Sequence, residues 1–169
     1  ILVPPALISA VNSELVYGEV DESVYQMFVR YESEEPPEIL ADPAAEFGAL
    51  SLLWADVLEL ADGRLQVDVY WRSDRALDEE LVVFVHVVDQ EKLLGQHDAP
   101  PAEGRWKQDW WRAGQIIRDR HIVNLDDPYD ATRQQILIGL YQASTGERLP
   151  VTGITAGESV GDAWTMGSE

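Results

Sequence analysis

The sequence predicts an all-β protein, an antiparallel β-sandwich of the immunoglobulin-like or jelly-roll-like kind with an acidic N-terminal extension. Three observations support this fold class. Short runs of β-branched and aromatic residues recur along the chain, turn-forming residues separate them at regular intervals, and no long stretch has helical periodicity. A chain of 169 residues is long enough for one domain with a substantial core.

Composition narrows the classes of partner. The chain carries 31 Asp and Glu against 12 Lys and Arg, a formal net charge of -19, and has no cysteine. Such a charge repels phosphate backbones, so nucleic acid is excluded as an expected partner. Without cysteine there is no disulfide, no thiolate nucleophile and no Cys-ligated zinc.

Residues 1–46 differ in composition from the rest, because Arg30 is their only basic residue. We expect this segment to be an acidic arm, juxtamembrane if a membrane segment precedes it. Within it, Val24–Val29 is compatible with either a strand or a short helical turn. Glu34–Glu38 contains two prolines and predicts a rigid extended connector, which places the domain boundary just before Phe47.

The sandwich is expected over residues 47–154. Ala49–Leu60 is an apolar run that the pattern leaves open between strand and helix, and Asp62-Gly63 is a turn dipeptide. Leu65–Trp71 alternates strictly, which predicts a half-buried strand with Leu65, Val67, Val69 and Trp71 towards the core and the polar positions towards water.

The clearest signal is the run from Leu81 to Asp98. Its first half is dense in valine around Phe84 and His86, which favours an extended backbone. The polar residues 89–92 then turn the chain and residues 93–96 return it, so the run predicts a core hairpin. We expect His86 to be packed or sheet-facing, and Asp98 to cap the following turn through backbone N–H groups.

Further strands are predicted after this hairpin. Ile116–Leu125 places Ile117, His121, Val123 and Leu125 at alternate positions, with Asp119 interrupting the apolar series. Gln135–Tyr141 is a short apolar strand followed by a turn at 144–146. Residues 155–169 are small and polar, and we expect an irregular C-terminal tail.

Several of these segments together resemble a known family in their order and approximate spacing. They resemble the C-terminal extracytoplasmic β-sandwich domain of membrane glycosyltransferases of the dolichyl-phosphate-mannose mannosyltransferase-like type, found in Chloroflexi-type bacteria. The matching elements lie between residues 47 and 153 and are Val69-Tyr70-Trp71-Arg72, Val83-Phe84-Val85-His86, Gln96-His97-Asp98, Trp111-Arg112-Ala113-Gly114, Gly139-Leu140-Tyr141 and Thr145-Gly146-Glu147-Arg148-Leu149-Pro150-Val151. Where the family usually has proline before the glycine of the tryptophan element, this chain has Ala113.

The resemblance implies a location and a role. In the family, catalysis belongs to a multi-helix membrane portion, and the sandwich itself carries no established chemistry. By this likeness the chain is expected to be extracytoplasmic, bacterial, and associated with a membrane or cell surface. Its expected partners are other subunits or the membrane portion of the same protein.

The strongest candidate for a ligand site is a tryptophan-rich loop. Trp106 and Trp110 lie in a charged stretch, where Arg105 and Arg112 are placed to donate hydrogen bonds. A pyranose has an apolar face that stacks on an aromatic ring, so this loop is a candidate sugar site. Trp111, by contrast, is expected to be buried as a plug of the sandwich.

Other chemistries have less support. Asp126, Asp127 and Asp130 cluster in one loop and make a structural Ca²⁺ an alternative that rests on charge alone, because the EF-hand spacing is absent. No serine lies in a Gly-x-Ser-x-Gly elbow, so a catalytic triad is not expected. We therefore predict a non-catalytic domain with a structural or accessory role and no required cofactor; the alternative is a carbohydrate-binding module that uses the loop tryptophans and binds glycans.

Overall fold

The structure, a computed structural model, describes residues 16–21, 24–28, 43–105, 111–114 and 116–166. The chain divides into two units, Ile1–Ile39 and Leu40–Glu169. In the first unit, strands β1 (Val16–Asp21) and β2 (Val24–Phe28) pair antiparallel. Residues 24–28 are therefore strand, which decides between the two conformations that the sequence left open.

The second unit is built from strands that begin at residue 45. They are β3 (Ala45–Phe47), β4 (Leu50–Glu59), β5 (Leu65–Ser73), β6 (Leu81–Asp89), β7 (Lys92–Ala99), β8 (Ile116–Val123), β9 (Gln134–Gln142), β10 (Glu158–Val160) and β11 (Ala163–Thr165). Within the described residues they form a four-stranded sheet in the order β3-β4-β5-β8 and a five-stranded sheet in the order β10-β11-β9-β6-β7, both antiparallel. The predicted all-β antiparallel sandwich is confirmed.

Helical structure is limited in the part of the chain that can be described. A 3-10 turn at Pro101–Gly104 follows β7. Over the same described residues, no helix has the length and apolar character needed to cross a membrane.

Strand β5 is an inner strand of the four-stranded sheet and lies between β4 and β8. Its alternation places Leu65, Val67, Val69 and Trp71 in the core, as predicted, and all four are fully buried. Its other face was predicted to meet water, but Asp68 on that face is also buried. Two arginines of the neighbouring strand, β8, bind the Asp68 carboxylate and cover it.

The predicted hairpin of residues 81–98 is confirmed as β6 and β7. Gln90 makes the turn with a φ of 56°, in the left-handed region. Strand β6 lies between β9 and β7, and Val83, Val85 and Val87 of its inner face are fully buried. On its outer face the Phe84 ring lies against the backbone of β9 at Gly139, where a Cβ would come within 2.3 Å of the ring.

Both predicted borders of the sandwich change. Residues 43–46, which the sequence assigns to the arm, belong to the sandwich, because Ala45–Phe47 pairs with β4. The segment 155–169, expected to be an irregular tail, supplies β10 and β11, and β11 pairs with β9. Within the described residues, the last buried side chains are those of β11. They include Trp164, which donates from Nε1 to the Ala156 carbonyl.

The loop that follows β8 lies across the outer edge of β7. The Asp126 N–H donates to the Leu94 carbonyl at 3.0 Å. Beside it, Gly95 approaches this loop so closely that a Cβ would come within 2.2 Å of the Asn124 carbonyl oxygen. Lys92 at the start of β7 also pairs with Asp127 of the loop.

Candidate functional site

The two tryptophans of the predicted sugar site, Trp106 and Trp110, lie outside the described residues. Their flanking arginines are described, and both are exposed. Arg105 forms an ion pair with Glu103, and Arg112 donates from Nη1 to the Trp111 carbonyl at 3.0 Å. The site as a whole therefore remains a prediction.

Trp111, at the end of this loop, is fully buried, in agreement with the sequence. Three residues later the Gly114 N–H donates to the Ser73 carbonyl at the end of β5, at 2.7 Å. Gly114 has a φ of 77°, so a glycine suits the turn that follows Trp111. The hydrogen bond from Gly114 thus attaches the segment after Trp111 to the end of β5.

The three aspartates of the predicted calcium loop do not converge. Asp127 pairs with Lys92, whereas Asp130 accepts from Thr132 and Arg133 within its own turn. Hydrogen bonds from Thr132 and from Arg133 lower the pKa of the Asp130 carboxyl. Among the described residues, no group of three or more His, Cys, Asp or Glu side chains is arranged to hold a metal ion.

A chain of hydrogen bonds through two histidines links the two sheets. The Ala102 N–H donates to Asp119 Oδ1 at 2.9 Å, and Asp119 Oδ2 lies 3.0 Å from His121 Nε2. The other nitrogen of His121, Nδ1, lies 2.9 Å from Nδ1 of His97. Asp119 and His121 are fully buried, and His97 is partly exposed.

The alternation of β7 and β8 brings these side chains together. His121 pairs in register with Val67, and His97 with Val85, two residues of the buried faces. Since β8 is the last strand of one sheet and β7 of the other, the histidines meet at the rim of the sandwich. The 3-10 turn after β7 supplies the Ala102 N–H that holds Asp119.

Only one proton fits between the two Nδ1 atoms. If His121 carries its proton on Nε2 and donates it to Asp119, its Nδ1 presents a lone pair to His97. Two N–H groups facing each other would clash, and two lone pairs would repel. The positions of these protons follow from the hydrogen-bond pattern.

A second imidazole–carboxylate pair lies on the outer face of the five-stranded sheet. His86 donates from Nε2 to Asp98 at 3.2 Å, so Asp98 binds a side chain of the neighbouring strand instead of the turn we predicted. The ring of Phe84 contacts both His86 and Tyr141, and the Arg148 guanidinium lies 4.4 Å above it. His86 is sheet-facing, as expected.

Burial sets the charge state of the two less buried histidines. It lowers the pKa of His86, against the opposing effect of Asp98. Burial also lowers the pKa of His97, and His121 lowers it further, while Glu103, Asp119 and Asp98 act in the opposite direction. Both imidazoles are therefore neutral at pH 7.

The sequence did contain a signal for the buried pair. Asp119 interrupted the apolar alternation of β8, and we treated it as a break in the pattern. In the structure, Ile117, Asp119, His121 and Val123 all lie on the buried face. A carboxylate two positions from a histidine on an inward-facing strand surface is an indication that the two are hydrogen-bonded, because buried polar groups need partners.

Neither the protein-family models nor the curated proteins with which the chain was compared give a match.

Proposed function

We propose that the chain is a non-catalytic, extracytoplasmic β-sandwich with a structural or accessory role in a membrane-anchored or surface-exposed bacterial protein. The observation that carries this proposal is the bonding of its histidines. Each of the three contacts a side chain on a neighbouring element or the opposite sheet, and the most acid–base-like pair, Asp119 and His121, is fully buried. A catalytic acid or base must reach its substrate, whereas groups in these positions hold the fold together.

The proposed location has two supports. The first is the resemblance of residues 47–153 to a family of extracytoplasmic sandwich domains. The second is the net charge of -19, which is compatible with a soluble domain that is attached to a membrane portion and does not itself bind the anionic lipid surface. The partner in this proposal is the membrane portion of the same protein or another subunit of its assembly.

Protease shaving of intact cells that produce the protein tests the location. An antibody against the sandwich should find it in the membrane fraction, and protease added outside should remove it while a cytosolic marker stays intact. Recovery of the intact domain with the cytosolic marker would contradict the proposal.

Carbohydrate binding is a second candidate, because the loop that carries Trp106 and Trp110 is fixed at both ends. Before it, the 3-10 turn binds Asp119 through Ala102; after it, Trp111 is buried. Exposed Arg105 and Arg112 stand at these two ends. Anchored flanking residues of this kind reduce the entropy cost of binding a ligand through the segment between them.

A glycan array followed by titration of intrinsic tryptophan fluorescence tests this second function. Trp106→Ala and Trp110→Ala should each abolish most of the sugar affinity, since stacking on the rings supplies it. Trp54→Ala is the matched control, because Trp54 is an exposed tryptophan that belongs to β4 and not to the tryptophan-rich segment. Sugar binding that survives both loop substitutions would exclude the loop as the site.

A further inference from the structure

We propose that His97 and His121 chelate a first-row transition-metal ion, such as Zn²⁺ or Cu²⁺, through their Nδ1 atoms at the rim of the sandwich between β7 and β8. This site is independent of the proposed accessory function. Its two histidines belong neither to the candidate sugar site nor to the candidate calcium site.

The distance between the two nitrogens suits a shared ion. At the observed Nδ1–Nδ1 separation of 2.9 Å, an ion about 2.0–2.1 Å from each nitrogen would bind them at an angle of about 90°. Moving the rings about 0.4 Å further apart brings that angle close to tetrahedral. Because His97 is partly exposed, a motion of this size at the rim does not require the core to open.

The partner of the buried histidine matches a feature of metal-bound histidines. Such histidines donate their second ring N–H to a carboxylate or carbonyl, which fixes the tautomer and orients the ring. Asp119 occupies this position on Nε2 of His121, and the Ala102 N–H holds Asp119 in place. The lone pair of His121 Nδ1 then points at His97. A metal ion would replace the proton on His97 Nδ1, and the neutral His97 ring would carry its proton on Nε2 instead.

The charge around His97 also favours a cation. Three carboxylates, Glu103, Asp119 and Asp98, act on its ring with negative charge. A divalent ion bound at Nδ1 of this ring would be attracted by these carboxylates.

Two protein nitrogens leave coordination positions for water or a further ligand. Because no group of three or more His, Cys, Asp or Glu side chains is arranged for a metal in the described ranges, the ion would be exchangeable. Closed structural zinc sites, by contrast, use four protein ligands. Imidazole suits both Zn²⁺ and Cu²⁺, and the general order of divalent affinities predicts that Cu²⁺ binds more tightly.

Calorimetric titration of the full chain with CuSO₄ and with ZnCl₂ at pH 7 tests the site. We expect one ion per chain, and we expect His97→Ala to weaken binding at least tenfold. His86→Ala is the matched control, because His86 is also bonded to an aspartate but lies on the outer face of the sheet. It should bind the ion as the unchanged protein does.

Electron paramagnetic resonance of the Cu²⁺ complex identifies the ligands. The spectrum should show coupling to two imidazole nitrogens in the unchanged protein and in His86→Ala, and to one fewer in His97→Ala. His97→Gln keeps a polar side chain and gives the same readout if His97→Ala does not fold, as judged by circular dichroism. Absence of one-to-one binding, or equal weakening by His86→Ala, would overturn the proposal and leave a shared proton as the only link between the rings.

Discussion

At Gly139 the outer face of the five-stranded sheet has no room for a side chain. We expect Gly139→Ala to lower the free energy of unfolding by about 1–3 kcal/mol, the usual cost of overpacking, because the new Cβ would come within 2.3 Å of the Phe84 ring. Urea denaturation measures the change. Gln135→Ala is the control, since Gln135 is exposed on the same strand and should change stability by no more than about 0.5 kcal/mol. Equal stability of both variants would show that Phe84 can move aside.

His86 gives a prediction about pH. Burial lowers its pKa, Asp98 raises it and Arg148 lowers it. Asp98→Asn should therefore lower the pKa of His86 further, because the opposing negative charge is lost. Titration of the His86 ring protons by NMR measures this directly. A pKa that rises, or stays constant, in Asp98→Asn would mean that the carboxylate has no electrostatic effect on the ring.

The lowered pKa of His86 in the folded protein also makes the stability depend on pH. A histidine whose folded pKa is lowered binds its proton more readily in the unfolded chain, so its contribution to stability is fully present above the unfolded pKa of about 6.5. As the pH falls below that value towards the folded pKa, the contribution of His86 is lost. The urea midpoint should decrease over this window, and His86→Gln should reduce that decrease.

At the level of single residues, the sequence predicts whether a side chain is buried better than it predicts which residues that side chain binds. Trp111 is buried and His86 faces the sheet, as expected from residue type and alternation. Asp98 and Asp119 were misjudged. Asp98 binds His86 of the neighbouring strand, and Asp119 binds His121 of its own strand together with the Ala102 N–H of the 3-10 turn. Contacts between side chains of different elements depend on strand register and on the packing of the sheets. Neither can be deduced from the local sequence pattern.

Among the secondary-structure elements, the C-terminal strand pair offers the sharpest test. Trp164 of β11 is buried, and its indole N–H binds the Ala156 carbonyl at 2.7 Å. Trp164→Ala should lower the free energy of unfolding by about 3–5 kcal/mol, as expected for a large buried aromatic. Val160→Ala on the paired strand β10 is the control, since Val160 is exposed and its loss should cost no more than about 0.5 kcal/mol.

If Trp164→Ala behaves like its control, the C-terminal strands are peripheral and the predicted irregular tail describes the molecule better. Thermal melts of both variants, followed by circular dichroism, give the comparison.

Three of the long strands were predictable, whereas the short ones were not. The longest strand, β4, forms in a segment whose pattern leaves strand and helix open. β5, β6 and β9 each have enough alternating or apolar residues to define a pattern, and all three were identified from the sequence. β3 and β11 have three residues each, too few for a period of two to be recognised. They become strands because β4 and β9 offer them backbone partners, which is a tertiary effect.

For the whole molecule, charge is the dominant property. A net charge of -19 on 169 residues produces self-repulsion in the compact state. Because about 0.1 M salt reduces the range of charge interactions to about 10 Å, we expect the urea midpoint to rise as NaCl increases from low concentration to 0.2 M, with an unchanged slope. A falling midpoint would mean that the exposed ion pairs, such as Arg133 with Asp89, outweigh the repulsion.

The sandwich architecture itself was predictable, because many short strands separated by turns and lacking helical periodicity have few other ways to bury their apolar faces. The candidate sites were less predictable from the sequence. The sugar loop was chosen from residue types, whereas the histidine link depends on two strands, β7 and β8, from different sheets that no local pattern connects. That link exists only because both strands end their sheets at the same rim.

The loop that follows β8 and binds the edge of β7 also affects how copies of the protein could associate. An open-ended fibre of sheets needs two free edges on every subunit. In the five-stranded sheet one edge is occupied where Asp126 binds Leu94, and the other is the three-residue strand β10. Two copies joined through β10 would each present β7 as the outer edge of this sheet. Among the described residues, the loop occupies that edge at Leu94 and would hinder the addition of a further strand there.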